Sequence, residues 1–252
     1  MYIFSDPLAL LNTECLELCY PSVNDILLSI NMEQCHYGRS GMDQVDFLDQ
    51  HGNIEANASI RLRLQNELFT TIDHLSLEVI EESCPLLAAA FEPSRQGMLH
   101  CIDDSSPELV VSLLRWAYTG EYIPSAFYGD ESLPLTFHLR LYRLAQRYDI
   151  SALQLNIRGR ILMECELACS NPRPPLDLVD SIRYLYDHLP DQQDIISTIT
   201  HYCVSCFFLH GLNDNPHFLL LAYEYRQFHS DLCKANMDRA FQDQGESAYY
   251  CL

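Results

Sequence analysis

Hydrophobic residues recur along the chain with two different spacings, and each spacing predicts one type of secondary structure. Near the N-terminus, apolar residues recur at spacings of three and four after a Ser-Asp-Pro start, which predicts an amphipathic helix over residues 6–19. A short apolar run at 25–30 predicts a buried strand, and strict alternation at 60–64 predicts a half-exposed strand. Residues 33–58 carry acidic and small residues with several glycines, so we expect a mobile insertion there.

Helical spacing takes over after the second strand. Residues 75–91 predict a helix pair or one kinked helix, because Pro85 interrupts the pattern. A short strand is expected at 100–102. Pro107 then opens a helix that the following Thr-Gly pair ends at Gly120.

From residue 137 to residue 243 the chain is predicted to be mainly helical, with one clear break. A long helical tract covers 137–169, and the Pro-rich segment 171–175 ends it because consecutive prolines exclude helix. Beyond the break, leucine, isoleucine, phenylalanine and tyrosine again recur at three and four in the stretches 176–188, 192–209 and 215–243. These three stretches predict an all-helical extension.

Composition indicates a folded protein with a strongly acidic surface. Hydrophobic residues make up 48% of the 252 residues and charged residues 20%, as in ordinary globular proteins. A net charge of −20 repels phosphate groups, so direct binding to nucleic acid or to anionic membrane is disfavoured. We find neither a basic leader nor an apolar run of membrane-spanning length, and therefore expect the protein in the nucleus, the cytoplasm or both.

The candidate chemistry is sparse. The eleven cysteines are expected to be reduced core thiols, including the pairs Cys15/Cys19 and Cys165/Cys169. Residues two apart on a helix point about 200° away from each other, which argues against a zinc site in the string His201, Cys203, Cys206, His210. Since phosphate loops, nucleophile elbows and zinc-protease motifs are also missing, we predict no catalytic, cofactor or metal residues and no enzymatic activity.

Two motifs in the middle of the chain resemble those of a known domain. Residues 113–122, Leu-Leu-Arg-Trp-Ala-Tyr-Thr-Gly-Glu-Tyr, resemble the helix-to-loop segment of the BTB/POZ domain. Residues 141–153 are similar to its following helix, with the pattern LA-x-x-Y-x-I-x-x-L. The hairpin of that family is matched by Ser83, Leu86 and Phe91, and the run at 25–30 looks like its first strand.

The resemblance implies an α+β fold, in which a small sheet is covered by helical hairpins and an all-helical extension follows, as in fungal members of the family. The organisation we predict is an N-terminal dimerisation helix at 1–23, a BTB/POZ-like domain at 24–169 with its mobile insertion at 33–58, a Pro-rich linker at 170–175 and a helical extension at 176–245.

The same resemblance implies a protein–protein interaction module that self-associates as a homodimer. The apolar stripe of the first helix, formed by Leu8, Leu11 and Leu18, is the candidate dimer interface. Partner binding is expected around the hairpin 77–92, the loop 93–99 and the helix 107–118. The candidate residues are Leu86, Phe91, Trp116, Tyr118 and Tyr122, although the last three suit a core equally well.

Two uses of such a module remain open. One is a substrate adaptor that docks a cullin ubiquitin-ligase scaffold, with which the presence of only one lysine, Lys234, is consistent. The other is a transcriptional regulator or scaffold that dimerises and recruits co-regulators without touching DNA, with which the acidic charge agrees.

Overall fold

The computed structural model describes residues 45–49, 56–63, 69–95, 97–103, 105–124, 133–175 and 177–247. These residues belong to one compact unit of α+β architecture. The predicted N-terminal helix 6–19, the predicted strand 25–30 and the candidate dimer residues Leu8, Leu11 and Leu18 lie outside the described residues.

The described residues contain one four-stranded sheet with the order β2–β1–β4–β3. Its strands are β1 (Ala58–Arg63), β2 (Phe69–Leu75), β3 (Glu92–Ser94) and β4 (Gly97–Ile102). The pairs β1–β2 and β3–β4 are antiparallel, whereas the central pair β1–β4 is parallel. A parallel pair needs a long crossover, and the chain between β2 and β3 supplies one.

Ten helices and one 3₁₀ turn at Leu212–Asp214 are found in the described part of the chain. The helices are α1 (Asp46–Asp49), α2 (Leu77–Ser83), α3 (Pro85–Ala88), α4 (Pro107–Thr119), α5 (Leu135–Arg147), α6 (Ser151–Cys169), α7 (Leu178–His188), α8 (Gln193–Ser205), α9 (Pro216–Glu224) and α10 (Arg226–Ser247). None of them combines the length and apolar character that a membrane span requires.

Strand β1 confirms the period-two pattern. Ala58, Ile60 and Leu62 are buried, and the two arginines between and after them are exposed. Strand β2 was not predicted, because only Ile72 and Leu75 of its residues are buried apolar side chains. The helix expected from residue 75 consequently begins two residues later, at Leu77.

The helix breaks follow local chemistry. Pro85 divides the predicted tract into the pair α2 and α3, with Cys84 in a non-helical conformation between them (φ −141°). Gly120 ends α4 in the left-handed region (φ 75°), as its position predicts. Between α5 and α6, Asp149 adopts the same region (φ 51°) and turns the chain. The expected helix 215–243 is interrupted at Tyr225.

One hydrophobic core extends across the Pro-rich segment 171–175. That segment connects α6 to α7, yet α5 packs against α7 and α6 against α8. Helices α9 and α10 close the far side through Phe218 and Phe228, which are both fully buried. The part of the chain before the Pro-rich segment, which we call the sheet half, and the helical extension after it therefore share one hydrophobic core.

Part of the predicted mobile insertion 33–58 packs on this core. Phe47 of α1 is fully buried against α4, with its ring centroid 5.5 Å from that of Tyr118. The guanidinium of Arg115 lies 5.0 Å from the Phe47 ring centroid and donates a hydrogen bond of 3.1 Å to Asp46. An aromatic anchor in an acidic, Gly-containing segment holds this short helix in place.

Candidate partner-binding surface

The hairpin α2–α3 is fixed to the rest of the fold by polar contacts at both ends of α2. The backbone N–H of Ser76 donates to the hydroxyl of Tyr118 at 2.7 Å, and that of Leu77 donates to the side-chain oxygen of Asn57 at 3.2 Å. At the other end, the Ser83 hydroxyl donates to the carbonyl of Ala117 at 2.8 Å. These bonds satisfy N-terminal N–H groups of α2 and hold the hairpin against α4.

The end of the hairpin is anchored by a row of three aromatic side chains. Phe91 is buried, with its ring centroid 5.6 Å from that of His100 on β4. His100 Nε2 lies 2.9 Å from the hydroxyl of Tyr148 at the end of α5. Burial lowers the pKa of His100, so the neutral imidazole is the form that packs here. These three side chains thus connect the hairpin, the sheet and the end of α5.

Tyr122 joins α4 to α5. It is buried after the end of α4, and its hydroxyl lies 2.9 Å from Nδ1 of the fully buried His138. Burial, assisted by the positive charge of Arg160, lowers the pKa of His138 to about 3. The pairing shows that segments 107–122 and 137–153, which carry the family resemblance, pack together.

The hairpin carries both exposed apolar residues and exposed acidic side chains. Pro85, Leu86 and Ala89 on and after α3 are exposed. Three glutamates of α2 are exposed on the same hairpin: Glu78, Glu81 and Glu82. We call these six residues the hairpin surface. It offers an apolar contact within a negative field, which suits a protein partner that carries an apolar pocket with basic residues at its edge.

The structure separates the five candidate partner residues into two groups. Leu86 is 53% exposed and Trp116 is half-buried on α4. Phe91, Tyr118 and Tyr122 are buried in the core that positions the hairpin. Their direct contact with a partner stays a prediction, and Leu86 is the candidate that is accessible in this chain by itself.

Tyr122 also lines a cleft of about 300 Å³ beside the start of the loop that follows α4. The cleft is bounded by Glu121, Tyr122, Ile123, Asn156, Arg160 and Met163. Its volume is at the lower limit of small-molecule sites. Its lining contains one acidic and one basic side chain, Glu121 and Arg160.

A second exposed apolar surface was missed by the sequence analysis. Helix α6 buries one stripe at spacings of three and four, formed by Leu153, Ile157, Ile161, Cys165 and Ala168. Outside that stripe, four further large apolar side chains are exposed: Leu155, Leu162, Met163 and Leu167. The available signal was the number of apolar residues on α6, which exceeds what one buried stripe requires.

The string of possible zinc ligands is split between core and surface, and the helix that carries its first two members ends at Ser205, before Cys206 and His210. Cys203 and Cys206 are buried, whereas His201 is exposed. His210 is engaged with the Tyr202 hydroxyl and the Asn171 carbonyl. Within the described part of the chain, no three His, Cys, Asp or Glu side chains are arranged to hold a metal ion. No protein-family model and no curated protein matches this sequence.

Proposed function

We propose that this protein is a protein–protein interaction module of the BTB/POZ type, which self-associates and docks a cullin ubiquitin-ligase scaffold as a substrate adaptor. The proposal combines the family resemblance of residues 113–122 and 141–153 with the surface chemistry of the hairpin α2–α3.

The order of elements supports this assignment. A β-hairpin is followed by the helical hairpin α2–α3, then by β3 and finally by β4, which pairs in parallel with β1. Helices α4 and α5 then pack together beside it. A small sheet covered by helical hairpins is the arrangement that the resemblance implies.

The observation that carries the proposal is the exposure of Leu86 on a rigidly held hairpin. Single exposed leucines are common on protein surfaces. Here, however, the preceding helix α2 of the same hairpin is held by hydrogen bonds from Ser76, Leu77 and Ser83, and the resemblance assigns partner docking to this hairpin. A preorganised apolar contact costs little conformational entropy on binding.

The low lysine content is consistent with a role as a subunit of a ubiquitin ligase. Lys234 is the only lysine in the sequence, and it is exposed on α10. An adaptor with a single acceptor amine is a poor substrate for the ligase that it serves. The fifteen basic residues are otherwise arginines, which keep their charge without offering that amine.

Binding to a purified cullin scaffold tests the docking role. We expect the full chain to co-elute with the scaffold in size-exclusion chromatography and Leu86→Asp to weaken binding at least about tenfold, because a charge replaces the central apolar contact. The matched control is Leu220→Asp on α9, since Leu220 is 50% exposed against 53% for Leu86. Equal effects of the two substitutions, or no complex with the unmodified chain, contradict the adaptor role.

Self-association has its own test. Light scattering should report twice the chain mass for the full protein and a monomer after deletion of residues 1–20, which removes the stripe Leu8, Leu11 and Leu18. A full-length monomer, or a dimer that survives the deletion, contradicts it. A dimer that ignores cullin but binds transcriptional co-regulators favours the scaffold alternative.

A further inference from the structure

Two cysteines from neighbouring helices face each other at the ends of α6 and α8. Cys169 is the last residue of α6, and Cys206 directly follows α8. Their sulfur atoms are 3.5 Å apart, with the Cys206 thiol donating to the Cys169 sulfur. A disulfide bond brings sulfurs to about 2 Å, so an approach of roughly 1.5 Å separates this reduced pair from bond formation.

The two backbone segments are held in place independently of the sulfurs. Nε2 of His210 lies 2.8 Å from the carbonyl oxygen of Asn171, two residues after Cys169. The backbone N–H of His210 donates to the carbonyl of Cys206 at 2.9 Å. Nδ1 of the same ring lies 2.9 Å from the Tyr202 hydroxyl, which fixes its orientation. The imidazole therefore bridges the turn after α8 to the turn after α6.

The pair has one accessible and one protected member. Cys169 is exposed, whereas Cys206 is 2% exposed. Burial raises the pKa of Cys206 to about 11, and the hydrogen bond with Cys169 acts in the same direction. Burial also raises the pKa of the adjacent Cys165 to about 12 and that of Cys203 well above its usual range. A dissolved oxidant therefore reaches and reacts with Cys169 first.

We propose that Cys169 and Cys206 form a reversible disulfide when the protein meets hydrogen peroxide. The Cys169 thiolate attacks one peroxide oxygen, the O–O bond breaks, and protonation of the leaving hydroxide gives water and a sulfenic acid on Cys169. The Cys206 sulfur then attacks the Cys169 sulfur, the S–O bond breaks, and the hydroxyl leaves as a second water with the Cys206 proton. A dithiol reductant supplies the two electrons and two protons that restore both thiols.

The bond would tie together the two parts of the chain on either side of the Pro-rich segment. The cysteines are 37 positions apart, and the closed loop contains all of α7 and α8. Closing a loop of this size restricts the unfolded chain, so the oxidised protein should melt about 5–10 °C higher than the reduced protein. The inference does not depend on the proposed adaptor function.

The test uses the purified full chain, treated with hydrogen peroxide and alkylated before proteolysis. We expect mass spectrometry to find a peptide pair linked through Cys169 and Cys206, two hydrogen atoms lighter than the reduced pair, and dithiothreitol to release it. Cys169→Ser, which alters an exposed side chain, should abolish both the linked peptide and the rise in Tm. Cys206→Ala should abolish them as well. The control Cys101→Ser removes an exposed thiol on β4 and should retain both.

Three results would overturn the proposal. The first is the absence of the linked peptide from the oxidised protein. The second is accumulation of sulfinic acid on Cys169 while Cys206 remains open to alkylation after unfolding. The third is a disulfide that joins Cys169 to Cys165 within α6 and leaves Cys206 reduced.

Discussion

At the scale of single residues, Tyr118 and Tyr122 show why residue type does not decide between interface and interior. Both are of the kind that dominates binding hot spots, and both end in a hydroxyl that needs a partner when buried. Here Tyr118 accepts from the backbone of Ser76, and Tyr122 pairs with His138. Tyr118 thus ties the start of α2 to α4, and Tyr122 ties the end of α4 to α5, whereas Leu86 lies at the surface.

His138 gives the protein a definite pH dependence. Its folded pKa of about 3 lies below the usual value of 6.5, so the unfolded chain binds the extra proton between these two pH values. Stability is therefore lost as the pH falls below 6.5, and the loss from this group reaches about 2 kcal/mol at pH 5.

The variant His138→Gln isolates this contribution. Its amide retains a partner for Tyr122 but does not titrate, so the variant should be less stable than the parent at pH 7 while losing about 2 kcal/mol less between pH 7 and pH 5. Urea unfolding at both pH values measures the difference. The exposed His217 is the control, because His217→Gln should reproduce the pH dependence of the parent. A similar acid loss in His138→Gln would show that this imidazole is not the cause.

At the scale of elements, the turn between β3 and β4 depends on a glycine. Gly97 has φ 116°, and a Cβ atom built on it would lie 2.5 Å from the carbonyl oxygen of Asn57. That carbonyl also accepts the backbone N–H of Met98 at 2.9 Å, so moving it would break the contact that begins the β1–β4 pairing.

Gly97→Ala should therefore lower the free energy of unfolding by more than about 2 kcal/mol, since it combines a disfavoured φ with a backbone clash. The matched control is Gly159→Ala in α6, where an added Cβ meets open space. In a helix interior this change should raise stability by roughly 0.5–1 kcal/mol. Chemical denaturation of both variants measures the two opposite signs, and a neutral Gly97→Ala would refute the proposed constraint.

The elements that could be predicted are those whose type or ends are determined by a clear local sequence pattern. Strand β1 has strict alternation, α4 has a proline start and a glycine end, and Pro85 forces two helices. Strand β2 was not predicted because its sequence, FTTIDHL, has polar residues at most positions. The strand lies at the edge of the sheet. The break at Tyr225 carries neither glycine nor proline, and the two helices on either side of it, α9 and α10, are in contact with each other.

For the candidate surface, the sequence predicted a helical hairpin and proposed Leu86 as a partner residue; the structure contains the hairpin and exposes Leu86, and contact with a partner stays a prediction. It could not tell which aromatic residues face inward, because burial depends on contacts between segments far apart in the chain. The 3.5 Å approach of Cys169 and Cys206 was likewise invisible, since it requires α6 and α8 to pack side by side.

At the scale of the whole molecule, one carboxylate, that of Asp177, makes several of the hydrogen bonds that join the sheet half to the helical extension. Asp177, just before α7, accepts hydrogen bonds from the backbone N–H groups of Leu135 and Thr136 at 3.2 and 2.8 Å. It also accepts from the hydroxyls of Thr136 and Ser181. Asp177, which follows the Pro-rich segment, thus accepts from N–H groups at the N-terminus of α5, which belongs to the other half.

These hydrogen bonds join residues on opposite sides of the segment 171–175. Removing them therefore tests whether the two halves unfold together. Asp177→Ala leaves two helix-terminal N–H groups without their acceptor and should cost about 2 kcal/mol. Fluorescence of Trp116, the only tryptophan, reports on α4, while circular dichroism reports mainly on the helices of both halves. In a cooperative molecule both signals should move to the same lower midpoint, and Asp180→Ala, an exposed change on α7, should move neither. Separate midpoints, with the Trp116 transition unmoved, would mean that the shared core does not couple the halves and that the Pro-rich segment divides two folding units.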